Sequence, residues 1–353
     1  MSFKIMPKEA FPDWVERLCL EHRVIGPKIK DDHYAFETIH TAAEIDLGYS
    51  TTMLPPKKAL MPQKETLFTF NSNSNNLEAN IVSEPTILLG VHTCDLHAIA
   101  LLDRVFERGY PDGHYLSRRK NTTLVSVECL QPCSEQAFCK SMGTLSVPDD
   151  FDLHLTDLGS DLVIDIGSPQ GAMLLEGFPA VREARQEEYP RLSRVISEKW
   201  PRFPYRLDFD VTELPSLLSL SYRSAIWEKL GERCLSCAMC TLVCPTCYCF
   251  NTVDEIDLAL TSGSRTRVWD SCQLDRFALV ADGHNFRANR SARLRHRFMH
   301  KAKYQSDTFG MVGCVGCGRC AESCLVHISP VDTFNELYHK RAAANRKKQE
   351  VAL

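Results

Sequence analysis

The chain has 353 residues, 44% hydrophobic and 24% charged, a composition that builds a sizeable core in two or three domains and excludes wholesale disorder. A formal net charge of −4 excludes nucleic acid or an anionic membrane as the main partner. Sixteen cysteines in so long a chain, with no leader-like N-terminus and no run reaching the ~18 apolar residues of a membrane span, point to reduced thiols in a soluble, cytoplasmic protein rather than to a disulfide scaffold.

In chain order, residues 7–25 are expected to form an amphipathic helix with Phe11, Trp14, Val15 and Leu18 on one face and Cys19 as a small buried residue. Residues 26–66 are mixed, and Pro55-Pro56-Lys57-Lys58 is expected to be a solvated loop. The Asn/Ser tract at 71–76 is a surface turn. Residues 86–91 read as a short buried strand, ending in His92-Thr93-Cys94-Asp95, with a helix over 96–106. Residues 122–128 repeat the strand and end at Cys129, with Cys133 and Cys139 on the following loop. Strand, helix, strand implies a βαβ unit in a parallel sheet, whose ligands gather beyond the carboxyl ends of the strands. Cys94, Cys129, Cys133 and Cys139 therefore form a candidate third [4Fe–4S] site. The plainer alternative is two buried cysteines and two loop thiols.

Further strands are expected at 152–157 and 162–166, a helix from 171, and a charged helical segment at 179–204 ending in a Pro-bounded linker. Helical periodicity returns at 212–230 and leads into Cys234. The fold expected is an α/β N-terminal domain with a βαβ-containing mixed sheet, residues 1–211, followed by a mainly helical, two-cluster ferredoxin-like domain, residues 212–353, with a long insertion at 250–312.

Two cysteine runs dominate the second half: Cys234, Cys237, Cys240 and Cys244, then Cys314, Cys317, Cys320 and Cys324. Each reads C-x2-C-x2-C-x3-C, the run that holds [4Fe–4S] clusters in two-cluster ferredoxins. Three cysteines at this spacing wrap one cube, and the fourth points to the other. The expected ligand sets are thus Cys234, Cys237, Cys240 and Cys324 for one cluster, and Cys314, Cys317, Cys320 and Cys244 for the other. Gly313, Gly316 and Gly318 suit backbone packed close around a cube; Ser236 and Ala238 make the first run less glycine-rich, and Leu325 stands where Pro commonly follows the fourth cysteine. Structural zinc is the rival, but it needs fewer thiols than this frame supplies.

Cys247, Cys249 and Cys272 lie in the insertion and are expected to pack around the clusters; a catalytic thiol role is the alternative. Residues 287–303 carry seven Lys/Arg and no acid, a solvated helix face or a docking face for an acidic redox partner. Ser329 and Pro330 read as N-cap and N1 of a closing helix. No G-x-G-x-x-G, P-loop or Ser–His–Asp order stands out, so no catalytic residue is assigned. The chain reads as a conductor of electrons, with the catalytic centre in a partner.

Taken together, PPKKALMPQKETLF at 55–68, CDLHAIALLDRVF at 94–106, the CxxP…FCxSMGT block at 129–144, CPTCYCF at 244–250, WDSC at 269–272, GHNFR at 283–287 and GCVGCGRC at 313–320 carry a resemblance over residues 55–330. The chain resembles the iron–sulfur beta subunit of cytosolic sulfhydrogenases (hydrogenase/sulfur reductase), a family related to the electron-transfer component of anaerobic sulfite reductase. The resemblance implies an α/β part and a helical two-cluster module. It implies two partners: a hydrogenase or sulfite-reducing catalytic subunit on one side, and on the other a flavin/NAD(P)-binding subunit. Family members pair cysteines around the FC motif as C-x-C; here Ala137 takes one of those places, and Cys133 is the upstream residue that would replace the ligand.

Overall fold

The computed structural model describes residues 3–351 apart from 72 and 75, so Ser72 and Asn75 of the expected 71–76 turn lie outside the described residues. Among the described residues, twelve strands form two sheets: β1 (Lys4–Pro7), β2 (Arg23–Lys30), β3 (His33–Ile39), β4 (Lys64–Asn71), β5 (Asn76–Ala79), β6 (Thr86–His92), β7 (Thr122–Val127), β8 (Leu153–Asp157), β9 (Asp161–Ile166), β10 (Arg182–Glu183), β11 (Phe250–Ile256) and β12 (Ser262–Trp269). The larger sheet runs β10-β1-β9-β8-β7-β6-β2-β3. Its centre is parallel, β2 on β6, β6 on β7 and β7 on β8, and its flanks are antiparallel.

The expected βαβ unit is the middle of this sheet. Every residue of β6 is buried, as a strand covered on both faces requires. Gly90, at φ +85°, shifts the β6–β7 register between Leu89 and Val91; a side chain there would meet the Pro27 ring at 3.0 Å. The crossover helix Thr93–Glu107 starts earlier than its periodicity suggests, which puts Cys94 in its first turn at the carboxyl end of β6. Cys129 follows two residues after β7 ends.

The N-terminal helix is shorter than expected, Phe11–Glu21, because the chain from Arg23 pairs in parallel with β6. Its Trp14, Val15 and Leu18 are buried as their spacing predicts. In the charged 179–204 segment, Glu188–Lys199 is α-helical.

The smaller sheet runs β11-β12-β4-β5 and is antiparallel throughout. The insertion thus opens as a hairpin, and that hairpin completes a sheet begun by β4 and β5 in the N-terminal half. Buried Arg267 of β12 locks the joint, donating to Glu65 of β4 at 2.6 Å and also pairing with Asp112. The division expected near residue 211 is therefore crossed by a sheet.

The helical half is built from Leu214–Leu220, Ile226–Arg233, Arg290–Met299 and Pro330–Val351 around Trp227, Phe298 and Phe334. Ile226–Arg233 and Arg290–Met299 approach closely because Gly231 has no side chain; a Cβ there would lie 2.4 Å from the Ser291 hydroxyl. Ser329 and Pro330 do open the last helix, with Asp332 N–H donating to the Ser329 hydroxyl. Among the described residues no helix is long and apolar enough to cross a membrane.

Candidate metal centres

The two cysteine runs have the same backbone. Each triad turns through two left-handed residues, Ser236 (φ +54°) and Ala238 (φ +68°) in the first, Gly316 (φ +69°) and Gly318 (φ +78°) in the second. Each then enters a short helix, Met239–Leu242 or Arg319–Glu322, that carries the fourth cysteine beyond its end. The glycines of the second run have a packing cause. That loop lies against the 136–139 segment, where Phe138 N–H donates to Gly316 carbonyl at 2.8 Å. A Cβ on Gly316 would stand 2.7 Å from the Cys139 backbone, and one on Gly318 would stand 2.6 Å from that of Gln136. At the matching places of the first loop Ser236 and Ala238 carry a Cβ and accept the left-handed strain.

The eight cysteines sort into two cavities in crossed fashion. One is lined by Cys234, Cys237, Cys240 and Cys324. The other is lined by Cys314, Cys317, Cys320 and Cys244, closed by Phe138, Phe298 and Phe334. The first lies near the surface, with Cys237, Leu235 and Leu325 exposed around it. Backbone N–H groups reach its sulfurs: Ser236 to Cys234 at 3.4 Å and Ile328 to Cys324 at 3.3 Å. The thiols surround a space. Among the described residues no group of three or more His, Cys, Asp or Glu is placed to hold a single metal ion.

The candidate third set gathers beside the second cavity. Cys94 and Cys139 share a buried cluster with Val315 and Cys317, and Cys129 packs against it. Cys133 lies within electrostatic range of Cys129, Cys139 and Cys317. Thr144 hydroxyl donates to Val315 carbonyl at 2.5 Å, tying this loop to the second triad. Burial pushes Cys240, Cys317 and Cys139 up to about 12 and Cys129 up to about 11. As free thiols they would stay protonated; metal binding replaces those protons.

The basic segment is a correction to the sequence reading. Arg293, Arg297 and Lys301, four residues apart, are all buried instead of solvated; Arg297 and Lys301 line the cysteine cavities, and Arg293 donates to the Ser236 hydroxyl of the first run at 3.2 Å. Arg293 pairs with Asp275 at 2.8 Å. Arg297 lines both cavities; its Nη2 donates to Cys240 carbonyl at 3.3 Å and its buried Nε has no partner among the described residues. Lys301 lines the second cavity and donates to Thr246 hydroxyl at 2.7 Å. Burial pulls Lys301 down, but the Cys244 and Cys247 sulfurs outweigh it and raise its pKa. Lys57 is not solvated either. It lies over the Trp269 ring and donates to the carbonyls of Cys244 at 2.7 Å and Cys247 at 2.5 Å. Burial lowers it to about 8.

Of the insertion cysteines, Cys247 and Cys272 are buried and Cys249 is half-buried. The Cys247 thiol is hydrogen-bonded to Cys244, and the Cys249 and Cys272 thiols to each other, which brings Cys249 down to about 7. A further buried contact, Arg319 with Asp95, joins the second triad to the crossover helix through two bonds of 2.7 Å. Sequence reasoning missed Lys57, Arg297, Lys301 and the Arg319–Asp95 pair. The four-residue spacing of 293, 297 and 301 was the one available signal, since it marks a single helix face.

An anionic, thiolate-held group fits these cavities. The donors are all sulfur, and Lys57, Arg297 and Lys301 beside them have no carboxylate partner among the described residues. An orphaned guanidinium N–H also faces the site. Buried charge of one sign needs a counter-charge, and a thiolate-ligated cluster is one.

Residues 233–328 match the 4Fe-4S dicluster domain, so the C-terminal half is an iron–sulfur dicluster module of ferredoxin type. Over 342 residues the chain is 34% identical to subunit beta of sulfhydrogenase 2 from Pyrococcus furiosus, covering 96% of this chain and 98% of that protein. The chain belongs to the sulfhydrogenase beta-subunit family. No solved structure matches it.

Proposed function

We propose that this chain is the cytoplasmic electron-transfer member of an oxidoreductase complex. It exchanges electrons with a flavin/NAD(P)-binding subunit at one end of the relay and with a hydrogenase/sulfur reductase catalytic subunit at the other. One [4Fe–4S] cluster is held by Cys234, Cys237, Cys240 and Cys324, the other by Cys314, Cys317, Cys320 and Cys244. The observation that carries this reading is the crossed sorting of eight cysteines into two cavities. A cube asks for thiolates spread around a volume, whereas zinc asks for sulfurs about 2.3 Å from one point. When bound, the clusters supply one-electron storage at modest reorganisation. The chain's own residues wall them from water, with Phe138, Phe298 and Phe334 on the inner cavity, and aim N–H groups at sulfur on the outer one.

We further propose a third [4Fe–4S] cluster at Cys94, Cys129, Cys133 and Cys139. The packing of Cys139 directly on Gly316 favours it, because it would extend the relay from the surface cavity through the inner one to the parallel sheet. Iron and sulfide analysis of anaerobically purified protein tests both readings. About eight irons per chain fit two cubes and about twelve fit three. Zinc without iron rejects the proposal, and twelve falling to eight on Cys133→Ser assigns the third site.

A further inference from the structure

Among the described residues, five buried cations lie around the cysteines of the two runs, and they are not equivalent. Arg293 and Arg319 are neutralised by Asp275 and Asp95. Lys57, Arg297 and Lys301 have no ion pair among the described residues. They donate to the Cys244, Cys247 and Cys240 carbonyls and to the Thr246 hydroxyl, and Arg297 and Lys301 also reach the Cys320 and Cys247 sulfurs. All three are at most 6% exposed. Water cannot screen them, and the unfavourable cost of burying them is offset only by negative charge nearby.

Their placement is uneven. Lys301 lines the inner cavity alone, and Lys57 lies behind the Cys244–Cys247 turn on the same side. Arg297 lines both cavities and stands between them. A helical irregularity supports this aim. The α-helix Arg290–Met299 passes into a π-helical turn at His300–Tyr304, which presents Lys301 toward Thr246 while Lys301 carbonyl accepts from Gly313 N–H at 2.6 Å. Inserted π turns re-aim side chains at functional sites.

We propose that Lys57 and Lys301 are tuning residues for the inner cluster's reduction potential, and that Arg297 is a counter-charge shared by both clusters. This rests on the two-cluster reading above. Reduction adds one negative charge in a dry site, and a fixed, unpaired cation stabilises the reduced form over the oxidised one. Lys57 and Lys301 therefore make the inner cluster easier to reduce than its burial alone allows. Because Arg297 faces both cavities, its charge favours the reduced form of both clusters.

The test is an EPR-monitored redox titration of full-length, iron-replete protein. Lys301→Met should shift the reduced-to-oxidised ratio of one cluster at fixed ambient potential by at least about tenfold, or 59 mV for one electron, and leave the other unmoved. Lys301→Arg should restore it. Lys57→Met should move the same cluster in the same direction, and Arg297→Met should lower both. Loss of a cluster in Lys301→Met but not in Lys301→Arg supports the charge requirement. Loss in both, or unchanged potentials in Lys301→Met and Lys57→Met with full iron, overturns it. Wild-type protein without two cubes would defeat the underlying reading instead.

Discussion

The Arg319–Asp95 pair offers a sharp test of how the two halves are joined. Its side chains are 2% and 0% exposed, and its two N–H···O bonds are both 2.7 Å. Asp95→Ala would leave a guanidinium stranded beside the second triad. Removing one partner of a buried pair costs about 3–5 kcal/mol. Arg319 Nε keeps its bond to Thr52 carbonyl at 2.9 Å, which places the expected loss at the low end. A loss of about 3 kcal/mol is roughly a hundredfold in the unfolding constant. Anaerobic guanidinium titration of iron-matched proteins, followed by far-UV circular dichroism and by visible absorption, measures it. Asp95→Leu with Arg319→Met should recover most of the loss, since apolar replacement of a whole buried pair is tolerated. The Arg265–Asp254 pair has equally short bonds of 2.7 Å but is over two-fifths exposed, so Asp254→Ala should not shift the midpoint measurably. If Asp95→Ala shifts it no more than Asp254→Ala does, burial is not what gives this contact its weight.

Crossed ligation predicts a pattern of iron loss. Cys244→Ser and Cys324→Ser should each remove about four irons, Cys244→Ser with Cys317→Ser no more than about four, and Cys244→Ser with Cys237→Ser about eight. The reverse pattern would mean that each run holds its own cube. Ala238→Gly should raise thermal stability by about 1 kcal/mol by relieving a left-handed L-residue, whereas Gly318→Ala should lower it through its contact with the Gln136 backbone. Effects of the same sign and size at the two positions would discount the packing explanation. Glu188 is held down to about 2, against an ordinary 4.5, by hydrogen bonds from Arg182. Its stabilisation is complete above 4.5 and is lost as pH falls through about 2. The gap in guanidinium midpoint between wild type and Glu188→Gln should therefore narrow from about pH 5 to about pH 3; a constant gap would contradict the assignment.

Much of the chemistry could be read before any folding was considered. The C-x2-C-x2-C-x3-C frames are local: three thiols on one turn and a fourth one short helix later follow from backbone geometry within eleven residues. The β6–helix–β7 unit was likewise visible, because apolar runs and a helical period are short-range properties. The place of Cys94 and Cys129 at one sheet edge came with it.

Charge placement was not visible, since it depends on what packs opposite. Residues 287–303 read as a solvated or docking face because seven basic residues and no acid normally mean exposure. Tertiary packing reversed that for Arg293, Arg297 and Lys301, burying the last two against the cysteine cavities, and buried Lys57 on the Cys244 carbonyl across nearly two hundred residues of chain. The β11–β12 hairpin was hidden for a related reason: its partner strand β4 is supplied by the other half of the molecule. Sequence alone determined that each run carries three thiols on one turn and a fourth one short helix later, because that is set by spacing along one backbone. Only the tertiary structure decided which cations stand beside those atoms and which segments seal them from water, because burial is a property of surfaces that meet from distant parts of the chain.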